Sequence, residues 1–100
     1  MIFFKIYVIM QSRGEKMTTE FVTDYIERKL NENLSYIRYT FYELRVKNNL
    51  SEEEVDQFLR MNRDYFENKG YNVYFTGAKF EYNNTKITVQ DNELMIAIKE

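Results

Sequence analysis

Phe66-Glu67-Asn68-Lys69-Gly70-Tyr71-Asn72-Val73-Tyr74-Phe75-Thr76 (FENKGYNVYFT) is the stretch on which the fold turns. Before Gly70 the apolar residues Val55, Phe58, Leu59, Tyr65 and Phe66 recur at helical spacing. After it, Tyr71, Val73 and Phe75 alternate with Asn72, Tyr74 and Thr76, at a period of two. Gly70 stands where a helix C-terminus takes a left-handed residue, with Lys69 in the last turn before it. A helix therefore gives way to strands at this point, and the class is α+β.

Reading back from Gly70, Asn48-Asn49-Leu50-Ser51-Glu52-Glu53-Glu54-Val55 (NNLSEEEV) marks where that helix starts. Ser51 is an N-cap and Glu54 its third helical residue, the pattern of a capping box. Leu50 and Val55 stand at the two ends of a hydrophobic staple. Glu52, Glu53 and Glu54 occupy the first turn, where the helix dipole favours negative charge. The acidic run is thus accounted for without a metal.

Further back, Val22, Ile26, Leu30, Leu34, Ile37, Phe41 and Leu44 fall three or four residues apart. This spacing predicts one long helix from Thr18 to about Asn48, roughly 45 Å in length, capped by Thr18 or Thr19. It either bends near Asn31–Asn33 or projects. The short link to the next helix predicts an antiparallel helical hairpin. Tyr25, Tyr36, Tyr39 and Val46 lie beside the stripe. Tyrosine suits surfaces with one end buried and one wet. These four form the expected partner surface, for a homodimer through the first helix or for a host or phage protein.

Reading forward from Gly70, Phe80 and Tyr82, then Ile87 and Val89, then Leu94, Ile96 and Ile98 alternate with their neighbours. Gly77-Ala78, Asn83-Asn84 and Asp91-Asn92 supply turns. The expectation is a two-layer α+β domain over residues 17–100. A helical hairpin packs on one face of an antiparallel β-meander of three to four strands, three if Gly77-Ala78 is a bulge. The other face is mostly polar.

Residues 1–16 stand apart. Met1-Ile2-Phe3-Phe4-Lys5-Ile6-Tyr7-Val8-Ile9-Met10 is a poor secretory signal, with its charge inside the apolar run. It is about half the length that crosses a membrane. It reads either as an added N-terminal edge strand or as an untranslated leader. Arg13-Gly14-Glu15-Lys16-Met17 can be encoded by AGA-GGA-GAA-AAA-ATG, a purine-rich ribosome-binding run just before a start codon.

Composition narrows the function classes. One hundred residues with no Pro and no Cys suggest one domain and exclude disulfides and thiolate chemistry. No His is present, which removes the commonest acid–base catalyst and metal ligand. The serines are Ser12 in the N-terminal segment, Ser35 within the predicted first helix and Ser51 as a cap. Three separated Gly form no phosphate loop. Asp91-Asn92-Glu93 offers too few oxygens for Ca²⁺. The net charge of −2 is spread along the chain with no basic block.

The expectation is a non-enzymatic protein without cofactor, metal or membrane. It would act in the cytoplasm of a host cell through a protein surface. A bias toward Phe, Tyr, Ile, Asn and Lys points to an AT-rich genome and to an accessory or regulatory protein of a phage or mobile element. Two alternatives stand beside it: nucleic-acid binding through Arg38, Arg45 and Lys47, and a structural subunit of a larger assembly.

Overall fold

The computed structural model describes residues 17–99, so the expectations for residues 1–16 lie outside the described residues. Two helices pack on one face of a three-stranded antiparallel sheet, and a two-stranded hairpin is set against the other face. The α+β expectation holds. The elements are α1 (Thr19–Glu32), β1 (Tyr36–Thr40), a π-helical turn (Tyr42–Lys47), α2 (Glu52–Asn68), β2 (Asn72–Phe75), β3 (Lys79–Tyr82), β4 (Thr85–Thr88) and β5 (Glu93–Ile98).

The long first helix is replaced by three elements. Thr18 caps α1 by accepting from Phe21 N–H at 3.0 Å. Asn33 ends it in extended conformation. The Asn33 side-chain oxygen then accepts from the backbone N–H of Ser35 (2.9 Å) and of Tyr36 (3.1 Å). That side chain offers the backbone an alternative to the next helical turn. The following Tyr-Ile-Arg-Tyr-Thr run is strand-favouring, and its burial alternates: Ile37 and Tyr39 are buried, Arg38 is exposed. Of the seven stripe residues, Leu34 and Phe41 are exposed, at 67% and 47%. The helical hairpin is corrected accordingly, because β1 and the π-helical turn separate the two helices.

Around α2 the local chemistry matches the sequence closely. Ser51 Oγ accepts from Glu54 N–H (3.1 Å) and Glu54 Oε1 accepts from Ser51 N–H (2.8 Å). At the other end Gly70 has φ +90°, open to glycine without strain. Gly70 N–H donates to the Glu67 carbonyl (3.1 Å) and Tyr71 N–H to the Phe66 carbonyl (2.9 Å), a Schellman motif. Its hydrophobic contact is Phe66 against Tyr71, with ring centroids 4.9 Å apart.

The strand order is β1–β5–β2, with the last strand in the centre. Ile37 and Val73 both sit opposite Ala97, and Tyr39 and Phe75 both opposite Met95. Met95 and Ala97 face the helices, where they join Val22, Tyr25, Ile26, Tyr39, Leu44, Phe58 and Phe66. Tyr25 and Phe58 link α1 to α2 edge to face, 5.3 Å between centroids.

Ile96 and Ile98 face the other way and meet Val89, Tyr36, Tyr74, Phe80 and Tyr82. The expected polar face is therefore covered. At Gly77-Ala78 the chain leaves the sheet and β3–β4 folds over it. Tyr74 stacks on Phe80 at 4.2 Å, and Tyr36 meets Tyr82 edge to face at 5.3 Å. Asn83 and Asn84, both at positive φ, make the two-residue turn between β3 and β4. A strand buried on both faces reads as a continuous apolar run, and Leu-Met-Ile-Ala-Ile is one.

Candidate protein-interaction surface

The residues after β1 form the least ordinary backbone of the chain. Asn48 N–H donates to the Glu43 carbonyl five residues back, at 3.1 Å, in the π-helical pattern. Leu44 anchors the turn, fully buried in the helix-side core. Glu43 N–H donates to Thr40 Oγ1 at 3.1 Å. Asn48 Nδ2 also donates to the Glu43 carbonyl, at 2.8 Å. Asn49, at φ +54°, leads out of the turn.

A polar cluster ties this turn to α1 and β1. Glu43 accepts from the Tyr25 hydroxyl at 2.5 Å and pairs with Lys29 at 2.8 Å. Lys29 also donates to the Arg38 carbonyl of β1 at 2.9 Å. Asn48 Nδ2 donates to the Tyr25 hydroxyl at 3.1 Å. Burial, then the hydrogen bond and negative charge of Glu43, push the Tyr25 phenol well above its usual range. Tyr25 is thus a fixed donor rather than a base. Tyr39 is raised more strongly, first by burial and then by Glu43. A cleft of about 290 Å³ beside this cluster is lined by Lys29, Glu32, Tyr36, Arg38, Thr40 and Glu43, and both of its cations are ion-paired.

The opposite character appears on the outside of the turn. Phe41, Tyr42 and Val46 are 47%, 62% and 55% exposed. The Arg45 guanidinium lies 5.6 Å from the Phe41 ring centroid. Phe75, at the end of β2, is exposed at the same end of the sheet, where Thr40 pairs with Glu93. Large apolar side chains are thus exposed on the π-helical turn, at Tyr42 and Val46, and just before it, at Phe41.

The structure separates the four residues of the expected partner surface. Tyr25 and Tyr39 are buried in the core, at 5% and 0% exposure, because α1 turns Tyr25 onto Phe58 and β1 turns Tyr39 toward the helices. Tyr36 is half-buried under the hairpin. Val46 alone of the four is exposed. A continuous helix puts Tyr42 on its polar side, as observed, but places Phe41 in the apolar stripe, where the structure exposes it. The signal that could have shown this is the run Tyr36–Tyr42, strand-favouring throughout and preceded by an Asn-rich stop.

The nucleic-acid trio is also divided. Arg38 bonds Glu93 at the start of β5 (3.1 Å), whereas Arg45 lies 3.7 Å from Glu52 at the start of α2. Lys47 is exposed on the turn. Among the described residues no group of three or more acidic side chains is placed to hold a metal ion, and no helix is long and apolar enough to cross a membrane. No known family, no curated protein and no solved structure matches this chain.

Proposed function

We propose that this protein is a small, non-enzymatic accessory or regulatory protein that binds another protein through Phe41, Tyr42 and Val46. The observation that carries the reading is the exposure of these three side chains on a turn whose inner face is locked by Leu44 and by the Tyr25–Glu43–Lys29 cluster. A rigidly held aromatic patch loses little entropy on binding. Lack of Cys and His supports a binding role over a catalytic one. The composition bias supports an origin in an AT-rich phage or mobile element, with action in the cytoplasm of its host.

The experiment compares capture from the source cell by the wild-type protein and by Tyr42→Asp/Val46→Asp, each carrying a C-terminal tag. A partner held by the first and lost by the second supports the proposal. Equal capture by both overturns it. Binding to nucleic acid is tested by titrating salt on the wild type and on a variant lacking Arg45 and Lys47. Tight low-salt binding that falls steeply with salt, and weakens on removing Arg45 and Lys47, would replace the protein-binding reading.

A further inference from the structure

Resting on that reading, we infer that one occupant of the Phe41–Tyr42–Val46 surface is a second copy of this chain, related by a two-fold axis. The charges around the patch carry the inference. On the π-helical turn, Arg45 and Lys47 make a basic edge, with Lys47 exposed. The first turn of α2 makes an acidic edge from Glu52 and Glu53, both exposed. Glu54 is excluded, because the capping box holds its carboxylate.

The two edges abut, since Arg45 Nη1 lies 3.7 Å from Glu52 Oε2. That contact is long for an ion pair; the Arg45 side chain is 32% exposed and Glu52's 87%, so Glu52 keeps most of its charge open and Lys47 supplies the open positive charge. A surface with a basic half beside an acidic half is self-complementary under two-fold rotation. Each basic edge then lies over the acidic edge of the other copy, and the apolar side chains Tyr42 and Val46 fill the space beside them. A uniformly basic or acidic partner would place like charge over one of the two halves, at a cost in affinity.

The size of the patch sets the strength. Three half-exposed side chains supply a few hundred Å² at most, short of the ~800 Å² per partner of a standard interface. The dimer is therefore weak, with a Kd on the order of 10 μM to 1 mM.

The test is sedimentation equilibrium of the full chain from about 1 μM to about 1 mM, the range over which such a dimer assembles. The wild type should move from monomer to dimer. Tyr42→Asp/Val46→Asp should weaken association by about 100-fold with an unchanged circular dichroism spectrum, as expected when two exposed apolar contacts are lost. Lys47→Glu and Glu53→Lys should each self-associate more weakly than wild type. Mixed together, they should form a heterodimer, because one copy is now basic where the other is acidic. A monomer at every concentration, or equal association by all variants, overturns the second-copy inference. If the wild type is monomeric but still loses a captured protein on Tyr42→Asp/Val46→Asp, only this inference fails and the binding surface stands. If the double variant changes neither, the surface reading itself falls.

Discussion

Tyr39 and Asn62 provide the sharpest test of where β1 lies. Both side chains are fully buried, and the Tyr39 hydroxyl donates to Asn62 Oδ1 at 2.6 Å. Asn62 Nδ2 donates in turn to the Phe58 carbonyl at 2.8 Å, so the amide orientation is fixed. Tyr39→Phe keeps the ring and its edge-to-face contact with Phe58 but leaves Asn62 Oδ1 buried without this donor. An unsatisfied buried acceptor costs about 1–3 kcal/mol. In a domain of this size that corresponds to roughly 4–8 °C of Tm per kcal/mol. Asn62→Leu orphans the hydroxyl instead and should cost a similar amount. The double variant removes both polar partners and should cost less than the sum of the singles, with a coupling of about 1 kcal/mol or more. Urea unfolding followed by circular dichroism measures all four proteins. If Tyr39→Phe costs less than about 0.5 kcal/mol, the value typical of a surface site, Tyr39 is not where the fold puts it. Additive singles would refute the pairing with Asn62.

Further outcomes follow from the same geometry. Gly70→Ala should destabilise by about 1 kcal/mol through its φ of +90° alone, because no atom lies within 4 Å of the added methyl; thermal melts measure it. Ser51→Ala should cost about 1 kcal/mol by removing the N-cap of α2, and Ser51→Asp should restore most of it. Tyr25 and Tyr39 have phenols raised in the folded state, so their neutral forms support folding below the unfolded tyrosine pKa of about 10. As pH rises above that value the unfolded chain ionises first and stability is lost; urea midpoints measured through this range should fall, and less steeply in Tyr39→Phe.

The legible part of the sequence was its local chemistry. Ser51 with Glu54, Gly70 with Tyr71, and the paired asparagines at 83 and 84 each satisfy backbone groups within a few residues. Such signals do not depend on the rest of the fold, and each was placed correctly. The illegible part was long-range. Ile37 and Leu44 fit both a helical stripe and an alternating strand followed by a tight turn, because three- and four-residue spacings occur in either. What decides between them is Asn33, whose side chain takes two backbone donors, and the central strand β5, which offers β1 a partner some sixty residues away. The same blindness hid the second core. Leu94–Ile98 was read as alternating, yet both faces of this strand are covered, one by the helices and one by β3–β4. The site went astray for that reason as well. Tyr39, which looks amphipathic on a helix, becomes a core residue on a strand, while Tyr25 stays on α1 and is buried against Phe58 and Tyr39.

The π-helical turn is also where folding and function can be told apart. Leu44 fills the core, Glu43 and Asn48 satisfy the polar groups around Tyr25, and Thr40 caps the entry. Those four side chains tie the turn to the core and to its neighbours. Tyr42 and Val46 do none of this: both point to water, and lysine or glutamate there would leave every one of those contacts in place. A fold needs no large apolar side chains at exposed positions of a short turn, and they carry a solubility cost. Leu34 is exposed as well, but it stands alone before β1, whereas Phe41, Tyr42 and Val46 fall within six residues of one another. Solubility should therefore rise, and stability should not fall, when Tyr42 and Val46 become Lys, while binding is lost. If that double variant unfolds at lower urea than wild type by more than about 1 kcal/mol, the patch serves the fold and the argument for a partner surface collapses.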